Sequence, residues 1–244
     1  MGTSGFVYRH WRGVLYPEKL PQRLWLTRYS TVFSTVELNT TFYRLPKAEA
    51  VDRWRDETPP GFLFACKGSR YLTHLKRLTE VGQGLDRFFS LVRRLKEKLG
   101  PVLWQIPPQM SKADPARLQR FVDHLPSDIQ HAFEFRSEAW YTAEICDILD
   151  SRGVAFCEHD LVDKRPPRTT GQFRYLRFHG RTGKYSGRYG RRGLAPHAQS
   201  LDAWRRRGLD AYVYFNNDVG GHAVRDAIDL TQLLGETPPL ELHL

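Results

Sequence analysis

Short apolar segments alternate with amphipathic segments along almost the whole chain, and this alternation constrains the fold more than any other feature of the sequence. Seven of the short segments are rich in β-branched and aromatic residues and end in polar or turn-forming clusters, which is typical of β-strands. The predicted strands are Phe33–Asn39, Phe62–Lys67, Val102–Ile106, Ala132–Arg136, Val154–Cys157, Phe173–His179 and Ala211–Asn216.

Amphipathic segments with the period of an α-helix lie between these strands. The predicted helices are Leu85–Leu99, Pro115–His124, Thr142–Arg152, Leu201–Arg207 and Val219–Leu234. The strand–helix units average about thirty residues, which is the length of a βα unit, and a barrel of such units needs about 250 residues. We therefore predict one α/β domain over residues 1–244, a single (β/α)8 TIM-type barrel, with an open doubly wound sheet as the alternative. Only Met1–Phe6 remains to supply the eighth strand.

The predicted strands carry charged and amide residues toward their carboxyl ends, which is unusual for a parallel barrel. Strands covered on both faces normally have continuous apolar sequences. Because side chains alternate between the two faces of a strand, the apolar set can face the helices only if the polar set faces the barrel axis. The polar residues predicted to lie inside, near the mouth of the barrel, are Glu37, Asn39, Lys67, Gln105, Glu134, Arg136, Arg177, His179 and Asn216.

This position favours a functional site, because the active sites of TIM barrels lie at the carboxyl ends of the strands. A structural ion-pair network is the alternative, since carboxylates and cations of the same set can neutralise one another. Glu158, His159 and Asp160 follow the strand that ends at Cys157, and the sequence does not indicate which of them points inward.

The same residues belong to motifs that run through the chain in a recognisable order. The motifs are Gly2-Thr3-Ser4-Gly5, Trp11, Gly13, Tyr16-Pro17, Val36-Glu37-Leu38-Asn39, Thr41-Phe42-Tyr43, Phe62-Leu63-Phe64, Lys67, Thr73-His74, Gly100-Pro101, Gln105, Pro107-Pro108, Glu134-Phe135-Arg136, Trp140, Arg177-Phe178-His179-Gly180, Tyr214-Phe215-Asn216-Asn217 and Gly221-His222-Ala223. In this pattern the chain resembles the DUF72 family, also called UPF0759 or the YecE-like proteins, whose function is poorly established.

The resemblance implies a TIM-type barrel and a genuine first strand, and it implies no chemistry. Family members usually carry several residues before the Gly-Thr-Ser-Gly turn, whereas only Met1 precedes it here. We therefore expect the first strand to be short or truncated. Phe6 stands where the family often has tryptophan.

The residues themselves suggest an enzyme that acts without a metal on a small anionic substrate, either phosphorylated or carboxylated. Guanidinium groups bind such anions, carboxylates and histidine transfer protons, and a lysine among other cations can act as a nucleophile. The predicted catalytic residues are Glu37, Lys67, Glu134 and His179. The predicted substrate-binding residues are Asn39, Tyr43, His74, Gln105, Arg136, Arg177, Tyr185, Asn216 and Asn217.

Two other functions remain open from the sequence. The first is nucleic-acid binding or metal-assisted phosphodiester cleavage of the endonuclease IV type, favoured by the net charge of +10 and by the basic, glycine-rich loop Gly180–Gly193. Glu37, Glu134 and His179 could then hold one metal ion, whereas the neighbouring cations argue against several. The second is a ligand-binding barrel without catalysis.

The remaining predictions come from composition. Cys66, Cys146 and Cys157 are far apart and show no zinc-binding spacing. No signal peptide or membrane-spanning run is evident, so we expect a cytoplasmic protein with no membrane contact. The sequence identifies no cofactor and does not indicate the oligomeric state.

Overall fold

Parallel strands in the predicted order form the centre of the protein in a computed structural model, which describes residues 1–183 and 185–236. Lys184 of the glycine-rich loop lies outside the described residues. The strands are β1 Gly2–Thr3, β2 Thr35–Leu38, β3 Leu63–Lys67, β4 Leu99–Ile106, β5 His131–Phe135, β6 Ala155–Phe156, β7 Glu158–His159, β8 Arg174–Phe178 and β9 Ala211–Phe215.

These strands form two parallel sheets, ordered β1-β9-β8-β7 and β2-β3-β4-β5-β6, which join into a closed barrel. At one junction Ser4 pairs with Glu37, and the amide N of Gly5 donates to the carbonyl O of Glu37 over 2.8 Å. At the other, β6 and β7 are separated only by Cys157, whose N–H donates to Phe133 while Glu158 pairs with Leu176. The predicted TIM-type barrel and its short first strand are thereby confirmed.

The first strand is short but tightly packed. Gly2 and Thr3 pair with β9, and a Cβ atom built on Gly2 would lie 2.0 Å from the carbonyl O of Thr35 in β2. Only glycine allows such an approach of two backbones. The Gly-Thr-Ser-Gly turn therefore closes the barrel.

The helices surround the strands; the first three were not predicted, and two of the predicted ones have different bounds. Among the described residues the helices are α1 Trp25–Ser30, α2 Thr40–Tyr43, α3 Ala48–Asp56, α4 Gly82–Val92, α5 Pro115–Asp123, α6 Ala143–Asp150, α7 Gly190–Arg205 and α8 His222–Leu233. The predicted helix to Leu99 was wrong in its last turns, because Lys96 adopts a positive φ of 53° and β4 begins at Leu99. The predicted start of α7 at Leu201 was also wrong, because the helix begins at Gly190.

The alternation of the strands separates two apolar clusters and the polar mouth. The larger cluster packs between strands and helices. The smaller one fills the lower interior of the barrel with Ala65, Leu103, Ala132, Ala155, Cys157, Phe173, Tyr175 and Tyr214. The charged residues lie above it, at the carboxyl ends of the strands. In the described part of the chain, no helix has the length and apolar character needed to cross a membrane.

Candidate functional site

Arg177 of β8 lies at the centre of the mouth and is fully enclosed. Its Nη2 donates to Glu37 Oε1 over 2.8 Å, and its Nη1 donates to Glu134 Oε2 over 2.5 Å. All three side chains have zero exposure, so each charge depends on its partners instead of water. Arg177 Nε is also buried and has no hydrogen-bond partner among the described residues.

The two carboxylates are held ionised by this geometry. Burial alone would raise the pKa of Glu37, but Arg177 and Lys67 outweigh it and lower that pKa. The hydroxyl groups of Ser4 and Tyr175 each donate to Glu37 over 2.7 Å. The oxygen atoms of Glu37 are therefore fully engaged inside the barrel.

Glu134 of β5 is held in the same way by two guanidinium groups. Arg136 Nε donates to Glu134 Oε1, on the side opposite to Arg177. Burial opposes ionisation here too, and the charges of Arg136 and Arg177 hold the pKa of Glu134 well below its usual range. The side chain of Arg136 keeps 11% exposure, so its guanidinium forms part of the accessible floor of the mouth.

His179, at the end of β8, is a neutral acceptor within this network. Its Nδ1 donates to Asp160 Oδ1 over 3.0 Å. Its Nε2 accepts from Arg136 Nη2 over 3.2 Å and from Arg177 Nη1 over 3.1 Å. Burial, opposed by the hydrogen bond to Asp160, lowers the pKa of His179 to about 4. The tautomer with the proton on Nδ1 satisfies all three contacts.

Glu158, His159 and Asp160 have different hydrogen-bond partners, which the sequence did not distinguish. Asp160 accepts from the backbone N–H of His179 over 3.0 Å and from the hydroxyl of Tyr189. His159 donates from Nε2 to the carbonyl O of Phe135 over 2.9 Å. Glu158 accepts two hydrogen bonds from Arg174 on the outer side of the strand. Only Asp160 therefore joins the network of the mouth directly.

Lys67 lies at the end of β3. Among the predicted catalytic residues, it alone has a side chain without a hydrogen bond or ion pair to the described residues. Its side chain is 7% exposed, and its Nζ lies 4.2 Å from the centroid of the Phe42 ring. Burial, assisted by the charge of Arg177, lowers the pKa of Lys67 to about 7. A large fraction of the amine is consequently unprotonated at neutral pH.

Two predicted binding residues continue the mouth sideways beyond Lys67. The Phe42 ring lies 5.0 Å from His74 and 4.9 Å from Tyr43, each in an edge-to-face arrangement. His74 Nδ1 is 2.9 Å from the hydroxyl of Thr73. Burial, with a contribution from Lys67, lowers the pKa of His74 to about 4. Tyr43 is 74% exposed and marks the outer end of this row.

The remaining predicted site residues are spread around the rim. Asn39 and Gln105 are half-buried at the ends of β2 and β4, and Asn216 is buried directly after β9. The backbone N–H of Tyr185 donates to His179 O over 2.6 Å, and the two rings lie 6.2 Å apart. The glycine-rich loop therefore folds over His179.

Asn217 is turned away from the mouth and anchors this loop. Its Nδ2 donates to Gly187 O over 2.9 Å and to Asp226 Oδ2 over 2.8 Å. The buried carboxylate of Asp226 also accepts the backbone N–H groups of Tyr189 and Gly190, 3.0 Å and 2.9 Å away, at the start of α7. The structure thus places Asn217 in the support of the loop.

Replacing Asp226 with alanine should lower the free energy of unfolding by about 2–3 kcal/mol, because the buried amide of Asn217 and two partly buried backbone N–H groups would lose their acceptor. Denaturant unfolding would measure the loss, and limited proteolysis would show cleavage within residues 180–193. Asp229→Ala is the matched control, because within the described ranges the side chain of Asp229 accepts only from the half-exposed Arg188. Equal losses in the two variants would contradict an anchoring role for Asp226.

Sequence reasoning missed Ser4, Tyr189 and the role of Asp160, because these residues lie in turns and loops without a periodic pattern.

The described residues bring together no group of three or more His, Cys, Asp or Glu side chains able to hold a metal ion. Glu37 and Glu134, predicted as ligands in the alternative hypothesis, instead accept hydrogen bonds from Arg177.

The comparisons with known proteins agree with this architecture. The chain is 28% identical to the UPF0759 protein YunF of Bacillus subtilis over 90% of each protein. It is 30% identical to the UPF0759 protein YecE of Escherichia coli over 58% of this chain and 53% of that protein. The crystal structure of a DUF72 family protein from Thermotoga maritima matches with a TM-score of 0.86 and 29% identity, over 96% of this chain and 98% of that one.

A second DUF72 family structure, from Enterococcus faecalis, has the same fold at 19% identity, with a TM-score of 0.83 over 100% of this chain and 98% of that one. The sequence profile of the family described as "Protein of unknown function DUF72" matches residues 1–242. The chain therefore belongs to the DUF72 family.

Proposed function

We propose that the protein is an enzyme that acts at the mouth of the barrel on a small anionic substrate, phosphorylated or carboxylated. The proposal rests on Lys67, whose amine is buried and has no ion pair among the described residues. A buried charge without a partner is costly, and structural networks seldom keep one. The cost is consistent with a functional requirement at this position.

The pairing of the charges in the mouth favours an anion. With Lys67 protonated, the three cations Lys67, Arg136 and Arg177 are balanced by Glu37, Glu134 and Asp160, so this set carries no net charge. The carboxylates, however, pair with the two arginines or with His179, and Lys67 has no ion pair among the described residues. A phosphate or carboxylate beside Lys67 and the partly exposed Arg136 would supply that partner.

The unprotonated form of Lys67 suggests the reaction. A neutral amine attacks an aldehyde or ketone carbonyl to form a carbinolamine, which loses water to give an imine. In this arrangement Arg136 holds the anionic group of the substrate, and the fixed pair Arg177–Glu134 keeps Arg136 in position. Glu37, Glu134 and His179 then position the cations and do not exchange protons at neutral pH, since their pKa values are lowered.

The binding step can be tested with succinate, which has two carboxylates and no carbonyl group to react. Because the anion binds best to protonated Lys67, the apparent Kd should rise about tenfold per pH unit above pH 7. Isothermal titration calorimetry from pH 6.5 to 8.5 would measure this slope. Lys67→Met should bind weakly with no such slope, and a flat profile for the unmodified protein would refute the proposal.

A further inference from the structure

A groove of about 610 Å³ lies beside the mouth, between the segments that follow β2 and β3 and the start of α4. Three arginines, two tyrosines and one leucine determine its chemistry: Arg44, Arg70, Arg87, Tyr43, Tyr71 and Leu75. No Asp or Glu lines it among the described residues. Its size is within the range of small-molecule binding sites.

The three arginines of the groove have no carboxylate partners in the described part of the chain. Arg44, Arg70 and Arg87 are all exposed, and none of them forms an ion pair within residues 1–183 and 185–236. By contrast, Arg93 and Arg94, further along the same region, each form a bidentate pair with an aspartate. Convergent guanidinium groups without carboxylates favour a ligand with phosphate groups.

The groove also holds exposed aromatic surface. In the described part of the chain six large apolar or aromatic side chains are exposed, and three of them, Tyr43, Tyr71 and Leu75, line this groove. Their exposed fractions are 74%, 48% and 67%. Scattered exposed apolar residues are ordinary, but a cluster beside a site is typical of a binding surface. Tyrosine rings beside arginines favour a planar ring with a phosphate attached.

The backbone that presents Tyr71 and Leu75 is irregular and strained. Residues Tyr71–Leu75 form a single π-helical turn, a conformation that is frequent at functional sites. Three non-glycine residues then have positive φ values: Arg77 at 48°, Leu78 at 68° and Glu80 at 50°. Strain of this kind persists where the surrounding structure requires a particular loop shape.

The ring of Phe42 lies between the groove and the mouth. This ring contacts Tyr43 on the groove side and Lys67 Nζ on the mouth side, at 4.9 Å and 4.2 Å. A ligand with its anionic, reacting end at Lys67 could therefore extend past Phe42 into the groove.

We propose that the groove is a binding site for a nucleoside phosphate, with the base stacked on Tyr43 or Tyr71 and the phosphate held by Arg70 and Arg87. The proposal rests on the proposed function in placing the reacting end of the ligand at Lys67. The substrate of the mouth is then an anion attached to a nucleotide, with the nucleotide bound in the groove. The same chemistry is found in a free nucleotide and at the end of a single-stranded nucleic acid.

Calorimetric titration with adenosine 5′-monophosphate, adenosine and inorganic phosphate tests the proposal. The monophosphate should bind about tenfold or more tightly than phosphate, because stacking of the base adds to the charge contact. Arg70→Ala combined with Arg87→Ala should weaken binding at least tenfold, and Tyr71→Ala should remove the preference for the base while Tyr71→Phe retains it. Arg120→Ala is the control for removal of an exposed arginine and should leave binding unchanged, since Arg120 is exposed on α5 and lies outside the groove.

A hexameric oligothymidylate distinguishes the two sources of the ligand. Tighter binding than the mononucleotide, with stronger salt dependence, identifies a single strand, and equal binding identifies a free nucleotide; either result supports the site. Equal affinities for the monophosphate and phosphate, or groove variants that behave like Arg120→Ala, would overturn it. Lys67→Met should weaken succinate binding and leave the monophosphate bound, so failure at the groove is separable from failure at the mouth.

Discussion

Replacing Arg177 with methionine should lower the free energy of unfolding by about 3–5 kcal/mol at neutral pH, the usual cost of removing one partner from a buried ion pair. Methionine preserves the apolar volume of the side chain but supplies no donor. Glu37 and Glu134, both without exposure, would lose their shared cation in the barrel interior. Such a loss is a large fraction of the stability of an ordinary domain.

The pH dependence of this loss has a definite sign. In the unmodified protein the pKa values of Glu37 and Glu134 are lowered, so their contribution is present above the ordinary glutamate pKa and disappears as the pH falls through the folded-state values. In Arg177→Met, Glu37 would lose the strongest of the charges that lower its pKa, so burial would raise that pKa instead, whereas Glu134 would keep Arg136. The variant should therefore become less stable as the pH rises from about 4 to 7. In the unmodified protein Glu37 and Glu134 have the opposite effect, because stability increases as the pH rises through their folded-state pKa values.

Arg174→Met is the matched control for Arg177→Met. Arg174 lies two residues earlier on β8 and forms a bidentate pair with Glu158, whose side chain is 26% exposed. Water can solvate Glu158 when Arg174 is removed, so the cost should be near 1 kcal/mol. Urea unfolding between pH 4 and 8 measures both variants. A loss below 1 kcal/mol for Arg177→Met would contradict the central role of Arg177.

Arg177 is a poor probe of catalysis. A variant that destabilises the barrel this strongly cannot separate a loss of activity from a loss of folding. Arg136 and Lys67 are better probes of the mouth, because neither donates hydrogen bonds to two buried carboxylates. Arg136 is 11% exposed, and Lys67 has no ion pair among the described residues.

The alternation of the strands was enough to place the centre of the site. Glu37, Glu134 and Arg177 lie in segments where every second residue is apolar, and that period alone fixes which face is buried. The same reasoning could not find Asp160 or Tyr189. Their contacts to His179 depend on how loops from different strands meet, which no local pattern records.

The start of α7 was missed for a related reason. Its first turn contains glycine and arginine, without a capping side chain, and Pro196 lies further along the helix. Asp226, from α8, accepts the free N–H groups at the start of this helix. The groove is equally invisible in sequence, because Arg44, Arg70 and Arg87 come together only through the packing of three separate segments.

Lys67 should be the most reactive lysine of the protein at neutral pH. With a pKa of about 7, more than half of its amine is unprotonated at pH 7.5, compared with on the order of 0.1% for an ordinary lysine. Treatment with pyridoxal phosphate, an anionic aldehyde, followed by borohydride should modify Lys67 on the order of a hundredfold faster than exposed lysines. Peptide mass spectrometry would measure the rate, whose midpoint should lie near pH 7.

Lys98 provides the control for burial, and pyridoxal provides the control for charge. Lys98 is also 7% exposed, but its Nζ donates to Arg55 O over 2.6 Å, to Thr58 Oγ1 over 3.1 Å and to Thr58 O, so it should remain unmodified. Pyridoxal lacks the phosphate, so Arg136→Met should slow modification of Lys67 by pyridoxal phosphate and leave the reaction with pyridoxal unchanged. If Lys67 reacts with a midpoint near pH 10, or no faster than Lys98, the amine is an ordinary buried cation, and the mouth loses the group on which catalysis was proposed to depend.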